Sequence, residues 1–240
     1  MSNEHYVGTE LDLFARAHNW KRYLARLIRP HLGTDVLEVG AGLGGTTATL
    51  ARHYHGHWLC LEPDPKLALQ IDNAAAVGTL PPCCRTLVGT VADIPQGKRF
   101  DSILYIDVLE HIEDDGPEAA RAARLLRPGG KLIILSPALQ WLYSAFDEAV
   151  GHYRRYSRQS LLAVVPRDLT LVSFAYLDSV GLLASAGNRL VTRRSAPSPS
   201  QMWLWDRLMV PASEMLDPLL AHSFGKSALG IWQRPGAAPL

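Results

Sequence analysis

The residues of this chain that first suggest ligand chemistry are glycines that directly follow a short apolar segment. Residues 36–39 read Val-Leu-Glu-Val and are followed by Gly40, Gly42 and Gly45. A run of this length and composition predicts a buried parallel strand, and the glycines predict a turn into a helix. Glycines let the backbone adopt positive φ, and they let N–H groups at the helix start face a carboxylate, phosphate or ribose. The sequence therefore predicts a site for a nucleotide-like ligand.

Two acids near this turn bear on which nucleotide would bind. Gly40, Gly42 and Gly45 satisfy the G-x-G-x-x-G pattern of dinucleotide sites. Glu38, however, lies two residues before the first glycine, where a carboxylate suits a cationic ligand group and would repel a pyrophosphate. Glu62 ends the next apolar run and is placed to bind both hydroxyls of a ribose, as the acid of dinucleotide folds also does. A nicotinamide oxidoreductase is disfavoured by Glu38 and stays open as an alternative.

Five motifs, in order from about residue 35 to residue 137, resemble the class I S-adenosylmethionine-dependent methyltransferases of the small-molecule type. They are Glu38-x-Gly40-x-Gly42-x-Gly44, Glu62, the segment 90–93 that ends in Asp93, the segment 100–111, and the segment 126–132. The resemblance implies a Rossmann-like, doubly wound α/β fold whose seven-stranded sheet has an antiparallel last strand. It also implies S-adenosylmethionine as cofactor, with Asp93 on the adenine side and Asp107 at the methionine end. The other predicted cofactor-binding residues are Glu38, Gly40, Gly42 and Glu62.

Ionisable and aromatic side chains concentrate directly after the predicted fifth strand, outside the carboxyl ends of the strands where open α/β sheets bind ligands. These are Asp147, His152, Arg154, Arg155 and Tyr156. We expect His152, oriented by Asp147, to be a general base, and the two arginines to bind an anionic group of the substrate. Tyr156 would complete the acceptor pocket. The alternative is an internal network of ion pairs that fixes a loop before the next helix.

Two further residues are predicted to contact ligand, and no metal site is predicted. The resemblance puts His111 near the transferred methyl group, where it could be a general base. In many members of that family an N-terminal helix closes over the cofactor, so Trp20 is expected to contact ligand. His53, His55 and His57 alternate along the chain, and residues two apart do not share a helix face, so they do not predict a metal site.

Composition narrows the partners and the compartment. The chain has 240 residues, 24 basic and 23 acidic side chains and a net charge of +1, so no global field recruits nucleic acid. Its three cysteines do not form a disulfide framework, which favours a reduced, cytoplasmic compartment. The start of the chain lacks the basic and apolar segments of a signal peptide. We therefore expect a cytoplasmic enzyme that acts on a small molecule and does not bind nucleic acid.

The α/β pattern predicts one domain with additions. Residues 1–33 are expected to form an N-terminal helical cap that starts at Thr9, and residues 34–178 the cofactor-binding core. Residues 179–226 would be a helical insertion, and residues 227–240 the last strand and tail. The insertion carries four large apolar side chains that are not all expected to be exposed to solvent: Trp203, Trp205, Leu208 and Met209. Three roles for it stay open: packing on the core or on a second subunit, a lid over a hydrophobic acceptor, or contact with membrane lipid.

These observations lead to a function and two alternatives. The first hypothesis is a methyltransferase that moves the methyl group of S-adenosylmethionine to an O, N or C nucleophile of a small metabolite or natural-product intermediate. The second is a methyltransferase for a lipid-linked or membrane-borne acceptor, which the Trp-rich insertion favours. The third is a non-catalytic scaffold that binds the cofactor and uses the insertion as a dimer or partner surface.

Overall fold

A computed structural model describes residues 14–191 and 198–236 of the chain. Seven strands form one sheet: β1 Asp35–Val39, β2 His57–Glu62, β3 Cys84–Val88, β4 Phe100–Ile106, β5 Leu126–Pro137, β6 Thr170–Leu177 and β7 Ser227–Gln233. Their order across the sheet is β3-β2-β1-β4-β5-β7-β6. β7 runs antiparallel to both of its neighbours, β5 and β6, whereas the other pairings are parallel. The predicted doubly wound sheet with an antiparallel last strand is confirmed.

The described helices flank the sheet and continue into the insertion. They are α1 His18–Ile28, α2 Gly45–Leu50, α3 Pro65–Ala76, α4 Asp115–Leu125, α5 Ala145–Ala149, α6 Arg158–Val164, α7 Ser179–Val191, α8 Pro199–Leu204 and α9 Val210–Leu219. A π-helical turn, Trp205–Met209, joins α8 to α9. None of the helices described is both long and apolar enough to cross a lipid bilayer.

The ends of two helices, α1 and α2, bear on the sequence prediction. The predicted start of the N-terminal helix at Thr9 lies outside the described residues, and α1 ends at Ile28. The helix predicted after the glycine turn is short and stops at Leu50. Its last carbonyls, those of Thr49 and Leu50, accept hydrogen bonds from the Arg29 guanidinium. The last carbonyls of a helix have no partner within the helix, and here the arginine side chain supplies one, so the helix can end at this point.

Two buried carboxylates attach the insertion to the core. Asp217 of α9 accepts the backbone N–H of Asp178 at 2.7 Å and the Tyr23 hydroxyl at 2.9 Å. Asp178, at the end of β6, accepts the Trp205 indole N–H at 2.6 Å. Because both carboxylates are fully buried, each bond forms where water cannot compete. These contacts fix α9 and the π-turn against α1.

The aromatic residues of the insertion divide into a buried and an exposed group. Trp205 is 6 % exposed and packs against Trp20, with ring centroids 5.7 Å apart. Met209 is half-buried, whereas Trp203 and Leu208 are 62 % and 59 % exposed. Packing on the core therefore accounts for Trp205 and Met209, and it leaves the other two on the surface.

Candidate active site

The glycine turn after β1 has the geometry that only glycine adopts easily. Gly40, Gly42 and Gly44 all have positive φ, at 66°, 57° and 71°. A Cβ built on Gly40 would lie 2.6 Å from a methyl group of Val108, so a side chain there would meet the loop that follows β4. The Gly40 amide donates to the Leu61 carbonyl at 2.8 Å, which ties the turn to β2. The turn is therefore close-packed on one side and offers bare backbone on the other.

Glu62 connects this turn to the end of β2. Its carboxylate accepts the Gly42 amide at 2.8 Å and the Asp64 amide at 3.1 Å. The side chain is 5 % exposed, and burial raises its pKa although both amide bonds work in the opposite direction. Each carboxylate oxygen has a second lone pair, so Glu62 can hold the turn and still accept hydroxyl groups of a ligand.

Glu38 lies beneath the turn. It is 2 % exposed, and one of its oxygens accepts the Thr47 hydroxyl at 2.7 Å and the Trp58 indole N–H at 2.8 Å. Burial raises its pKa to about 7, although these two hydrogen bonds favour the charged form. Its side chain links β1 to α2 and β2, and its predicted contact with the cofactor stays a prediction.

Asp93 and Asp107 stand at the carboxyl ends of the next strands. Asp93 follows β3, is exposed, and accepts the Thr90 amide at 2.8 Å and its hydroxyl at 2.9 Å, which lowers the pKa of the carboxyl. Asp107 follows β4 with a strained φ of 55°, a conformation that non-glycine residues rarely adopt outside functional sites. The pKa of Asp107 is raised by the protein around it, against the attraction of His152 and Lys226. Its side chain is exposed to solvent.

The strand order explains why these residues form one row. β3, β2, β1 and β4 are consecutive neighbours in the sheet, and each carries its polar residue at the carboxyl end. Between β1 and β4 the winding of the chain reverses, and ligands of open α/β sheets bind at such a switch point. The sheet therefore aligns Asp93, Glu62, the glycine turn and Asp107 along a single cleft edge.

Asp147 is the centre of a second polar group, after β5. It is fully buried and accepts the Arg155 guanidinium at 2.8 and 3.0 Å, the Ser144 amide at 2.9 Å and hydroxyl at 3.0 Å, and lies 2.9 Å from Nδ1 of His152. Burial alone would raise its pKa, but the bonds from His152 and Arg155 hold it well below the usual range. Asp147 is therefore a carboxylate that only accepts hydrogen bonds.

This carboxylate fixes the tautomer of His152. Because Asp147 can only accept, Nδ1 of His152 must carry the proton of that bond, and the lone pair of the neutral ring lies on Nε2. Nε2 lies 4.0 Å from Oε1 of Glu110, and the His152 ring meets the His111 ring edge-on with centroids 4.5 Å apart. The expected pair of Asp147 and His152 is present, and the structure brings His111 to the same place.

The predicted substrate-binding residues are occupied within the protein. Arg155 forms the ion pair with Asp147, and Arg154 forms one with Asp115 at 2.5 Å. Tyr156 is buried and donates its hydroxyl to the same Asp115 at 2.7 Å. This arrangement is the internal network that the sequence left open as an alternative, and contact of these residues with substrate stays a prediction.

Trp20 lies apart from these two groups. It is 6 % exposed, packs on Trp205 and Tyr23, and its amide donates to Asp206 at 3.0 Å. The described structure thus places it in the hydrophobic core under the insertion, and its predicted contact with ligand stays a prediction.

Sequence reasoning missed the environment of Glu110. Glu110 lies in a loop, yet it is fully buried and neither carboxylate oxygen has a hydrogen-bond partner among the described residues. The Tyr153 amide donates to the Glu110 carbonyl at 2.8 Å, so the loop after α5 contacts the loop that carries Glu110. A local sequence pattern does not predict a contact between residues 43 positions apart.

Comparison with known proteins agrees with this geometry. Residues 37–134 match the family described as "Methyltransferase domain". A demethylmenaquinone methyltransferase of Tropheryma whipplei is 32 % identical over 135 residues, which are 54 % of this chain and 53 % of that protein. A ubiquinone biosynthesis O-methyltransferase of Azorhizobium caulinodans is 30 % identical over 111 residues, 46 % of this chain and 43 % of that protein. The chain therefore spans about half the length of the curated relatives it matches.

The fold is shared more widely than the sequence. A geranyl diphosphate methyltransferase, solved in complex with S-adenosylmethionine, superposes with a TM-score of 0.64 at 16 % identity, and the alignment covers 97 % of this chain and 93 % of that one. At this identity the likeness establishes the architecture alone. It extends over the insertion as well as the core.

Proposed function

We propose that this chain, whose core belongs to the class I S-adenosylmethionine-dependent methyltransferases, transfers a methyl group to a nucleophilic atom of a small molecule. The observation that carries the proposal is the row of carboxylates along the cleft edge, on both sides of a glycine turn. Acids in these positions suit a ligand with hydroxyl and cationic groups and oppose the pyrophosphate of a nicotinamide dinucleotide. The two carboxylates after β3 and β4 are open to solvent, so a ligand can reach them.

The chemistry of these side chains fits S-adenosylmethionine. Glu62 would accept the ribose hydroxyls, Asp93 would face the adenine side, and Asp107 would pair with the amino group of the methionine end. Gly40 and Gly42 would let the backbone approach, and Glu38 would support the turn from below. The cofactor supplies an electrophilic methyl group on a sulfonium when it is bound.

The residues of the acceptor end would position the nucleophile and take its proton. Nε2 of His152 presents a lone pair at the carboxyl ends of β4 and β5, and Asp147 keeps the ring in that orientation. The imidazolium that forms would be stabilised by the same carboxylate. Holding the reacting atoms at attack distance can remove about 7–11 kcal/mol of the barrier, so positioning contributes more than the base.

A hydroxyl of a quinol-like small molecule is the acceptor we favour. The two curated relatives are by name methyltransferases of quinone biosynthesis, and one is an O-methyltransferase. A hydroxyl acceptor needs a base, which His152 supplies. Both arginines form ion pairs in the described structure, Arg155 with Asp147 and Arg154 with Asp115. An anionic acceptor would have to displace one of these aspartates to bind an arginine.

A membrane-borne acceptor is the second candidate, and the surface of the insertion favours it. Trp203, Leu208, Met215 and Leu219 are between 59 % and 80 % exposed, which is unusual for so many large apolar side chains on one segment. The same surface would suit a second subunit. Sedimentation with lipid vesicles separates the two: Trp203→Ala should reduce vesicle binding if lipid is the partner, and should shift only the oligomeric state if a second copy is.

The proposed activity is tested by turnover. The protein is incubated with S-adenosylmethionine and a panel of hydroquinones and catechols, and S-adenosylhomocysteine and a gain of one methyl mass in the acceptor are measured. His152→Asn should lower kcat by roughly 100-fold or more, in the range typical of general acid–base groups. The matched control is His55→Asn, which changes an exposed histidine distant in sequence from His152 and should leave turnover unchanged. Cofactor binding without any turnover would favour the scaffold.

A further inference from the structure

Three side chains converge at the acceptor end of the cleft. One oxygen of Glu110 and one ring nitrogen each of His111 and His152 all lie within 4.8 Å of one another. They come from two separate loops, the one after β4 and the one after α5. Such a spacing allows the three atoms to share one ion after small side-chain adjustments, since metal–ligand bonds of about 2.0–2.2 Å require closer contacts.

The environment of the Glu110 carboxylate favours a cation as its partner. Its side chain is fully buried, and neither oxygen accepts a hydrogen bond from any described residue. Ser136 Oγ is close enough to favour the charged form but is itself unpaired, and the nearby Arg155 is bound to Asp147. Buried carboxylates are normally paired, hydrogen-bonded or bound to metal.

Both histidines are already arranged as ligands usually are. Asp147 binds Nδ1 of His152, which leaves Nε2 and its lone pair directed at Glu110. The His111 ring lies beside the backbone of Val150 and Gly151, whose polar groups interact with it. Metal-binding histidines almost always donate their other ring N–H to a carboxylate or a carbonyl in this way.

We propose that Glu110, His111 and His152 bind one divalent transition-metal ion, of which Zn²⁺ is the reference case, at the acceptor end of the cleft. Two imidazoles and one carboxylate form a donor set that suits Zn²⁺, Co²⁺ or Fe²⁺ and is poor for Mg²⁺, which prefers oxygen ligands. His111 is exposed, so the ion would keep open coordination positions on the side of the cleft. The sequence alone predicted no metal site, because its only histidine cluster was a different one.

The site would also narrow the acceptor class, a point that rests on the proposed function. An acceptor oxygen that entered the open positions would lose its proton to solvent more readily, as a hydroxyl does beside a metal cation. His152 would then act as a ligand instead of a base, and the proton of the acceptor hydroxyl would leave to solvent. Acceptors with two neighbouring oxygens, such as catechols, would gain most because both oxygens could reach the ion.

The test measures metal binding without turnover. Protein stripped with a chelator is titrated with Zn²⁺ and, separately, with Mg²⁺ by calorimetry. One Zn²⁺ per chain and no Mg²⁺ signal are expected, and Glu110→Gln and His111→Asn should each weaken Zn²⁺ binding roughly 10-fold or more, by analogy with the effect of ligand-shell substitutions. Glu113→Gln and His55→Asn remove an exposed acid and an exposed histidine outside the cluster and should leave the affinity unchanged.

Cobalt and a product analogue complete the experiment. Co²⁺ at this site should give visible d–d bands without a thiolate charge-transfer band, and Glu110→Gln should abolish them while the thermal unfolding midpoint stays within a few degrees of the parent protein. A thiolate band would mean binding at Cys60, Cys83 or Cys84 and would overturn the proposal, as would equal Zn²⁺ affinity in Glu110→Gln. S-adenosylhomocysteine binding is measured on the stripped protein, so failure of the metal site and failure of the proposed function are told apart.

Discussion

Replacing Glu38 by glutamine removes a buried charge from beneath the glycine turn while keeping the shape of the side chain. The glutamine carbonyl oxygen can still accept the Thr47 hydroxyl and the Trp58 indole N–H, which both bind one oxygen of Glu38. The substitution therefore isolates the ionisation of the carboxyl from its packing. Its effect on the free energy of unfolding should depend on pH.

The size of the effect follows from the pKa of the carboxyl. Burial raises it from 4.5 to about 7 in the folded protein. The folded state therefore holds the proton more tightly than the unfolded chain, and the resulting stability is fully present below about pH 4.5 and is lost as the pH rises through 7. At about 1.36 kcal/mol per pKa unit, the total loss is about 3 kcal/mol, of which about 2.5 kcal/mol falls between pH 5 and pH 8.5.

Urea unfolding of both proteins at pH 5 and pH 8.5 measures this quantity. At pH 5 the two proteins should have nearly the same free energy of unfolding. At pH 8.5 Glu38→Gln should be more stable than the parent protein by about 2.5 kcal/mol, because only the parent must bury a charge. An equal difference at both pH values would refute the reasoning, since it would mean that Glu38 ionises as easily in the folded protein as in the unfolded chain.

Two further substitutions probe the polar network and the turn. Asp147→Asn should lower the free energy of unfolding by about 3 kcal/mol, because it leaves a partly buried guanidinium without its charged partner. The control is Glu148→Gln, which changes an exposed acid of the same helix. In chemical denaturation it should change the free energy of unfolding by less than about 0.5 kcal/mol. Gly40→Ala should destabilise more than Gly78→Ala and abolish calorimetric binding of S-adenosylhomocysteine. Both glycines have positive φ, but only the first has a methyl group of Val108 within 2.6 Å of the added Cβ, so equal losses would refute the close approach.

Much of the fold could be predicted because local patterns determine it. The apolar run at residues 36–39 and the glycines after it place β1 and the turn, and the short run that includes Ile231 and Trp232 predicted β7 despite the long insertion before it. Strand direction followed from the resemblance to a known family. Helix ends were predicted less well, since α2 stops where Arg29, 20 residues away in sequence, binds its last carbonyls.

The site could be predicted only where its contacts are local. Asp147 and His152 are five residues apart, and their pairing was expected from the sequence. The partner of Arg154 is Asp115, 39 positions earlier, and the burial of Glu110 depends on a loop that arrives 43 residues later. Such long-range contacts are set by the packing of the whole chain, so spacing and composition do not reveal them.

Calorimetric titration with S-adenosylhomocysteine, and separately with NAD, tests most directly whether the row of carboxylates binds the methyl-donor cofactor. The parent protein should bind S-adenosylhomocysteine and give no signal with NAD. Glu62→Ala should weaken that binding by roughly 10- to 100-fold, since a hydrogen bond to a charged group is worth about 1.5–3 kcal/mol. Asp72→Asn, an exposed acid on the helix after β2, should have no effect. Binding of NAD would contradict the proposed cofactor site. So would binding of S-adenosylhomocysteine that Glu62→Ala leaves unchanged.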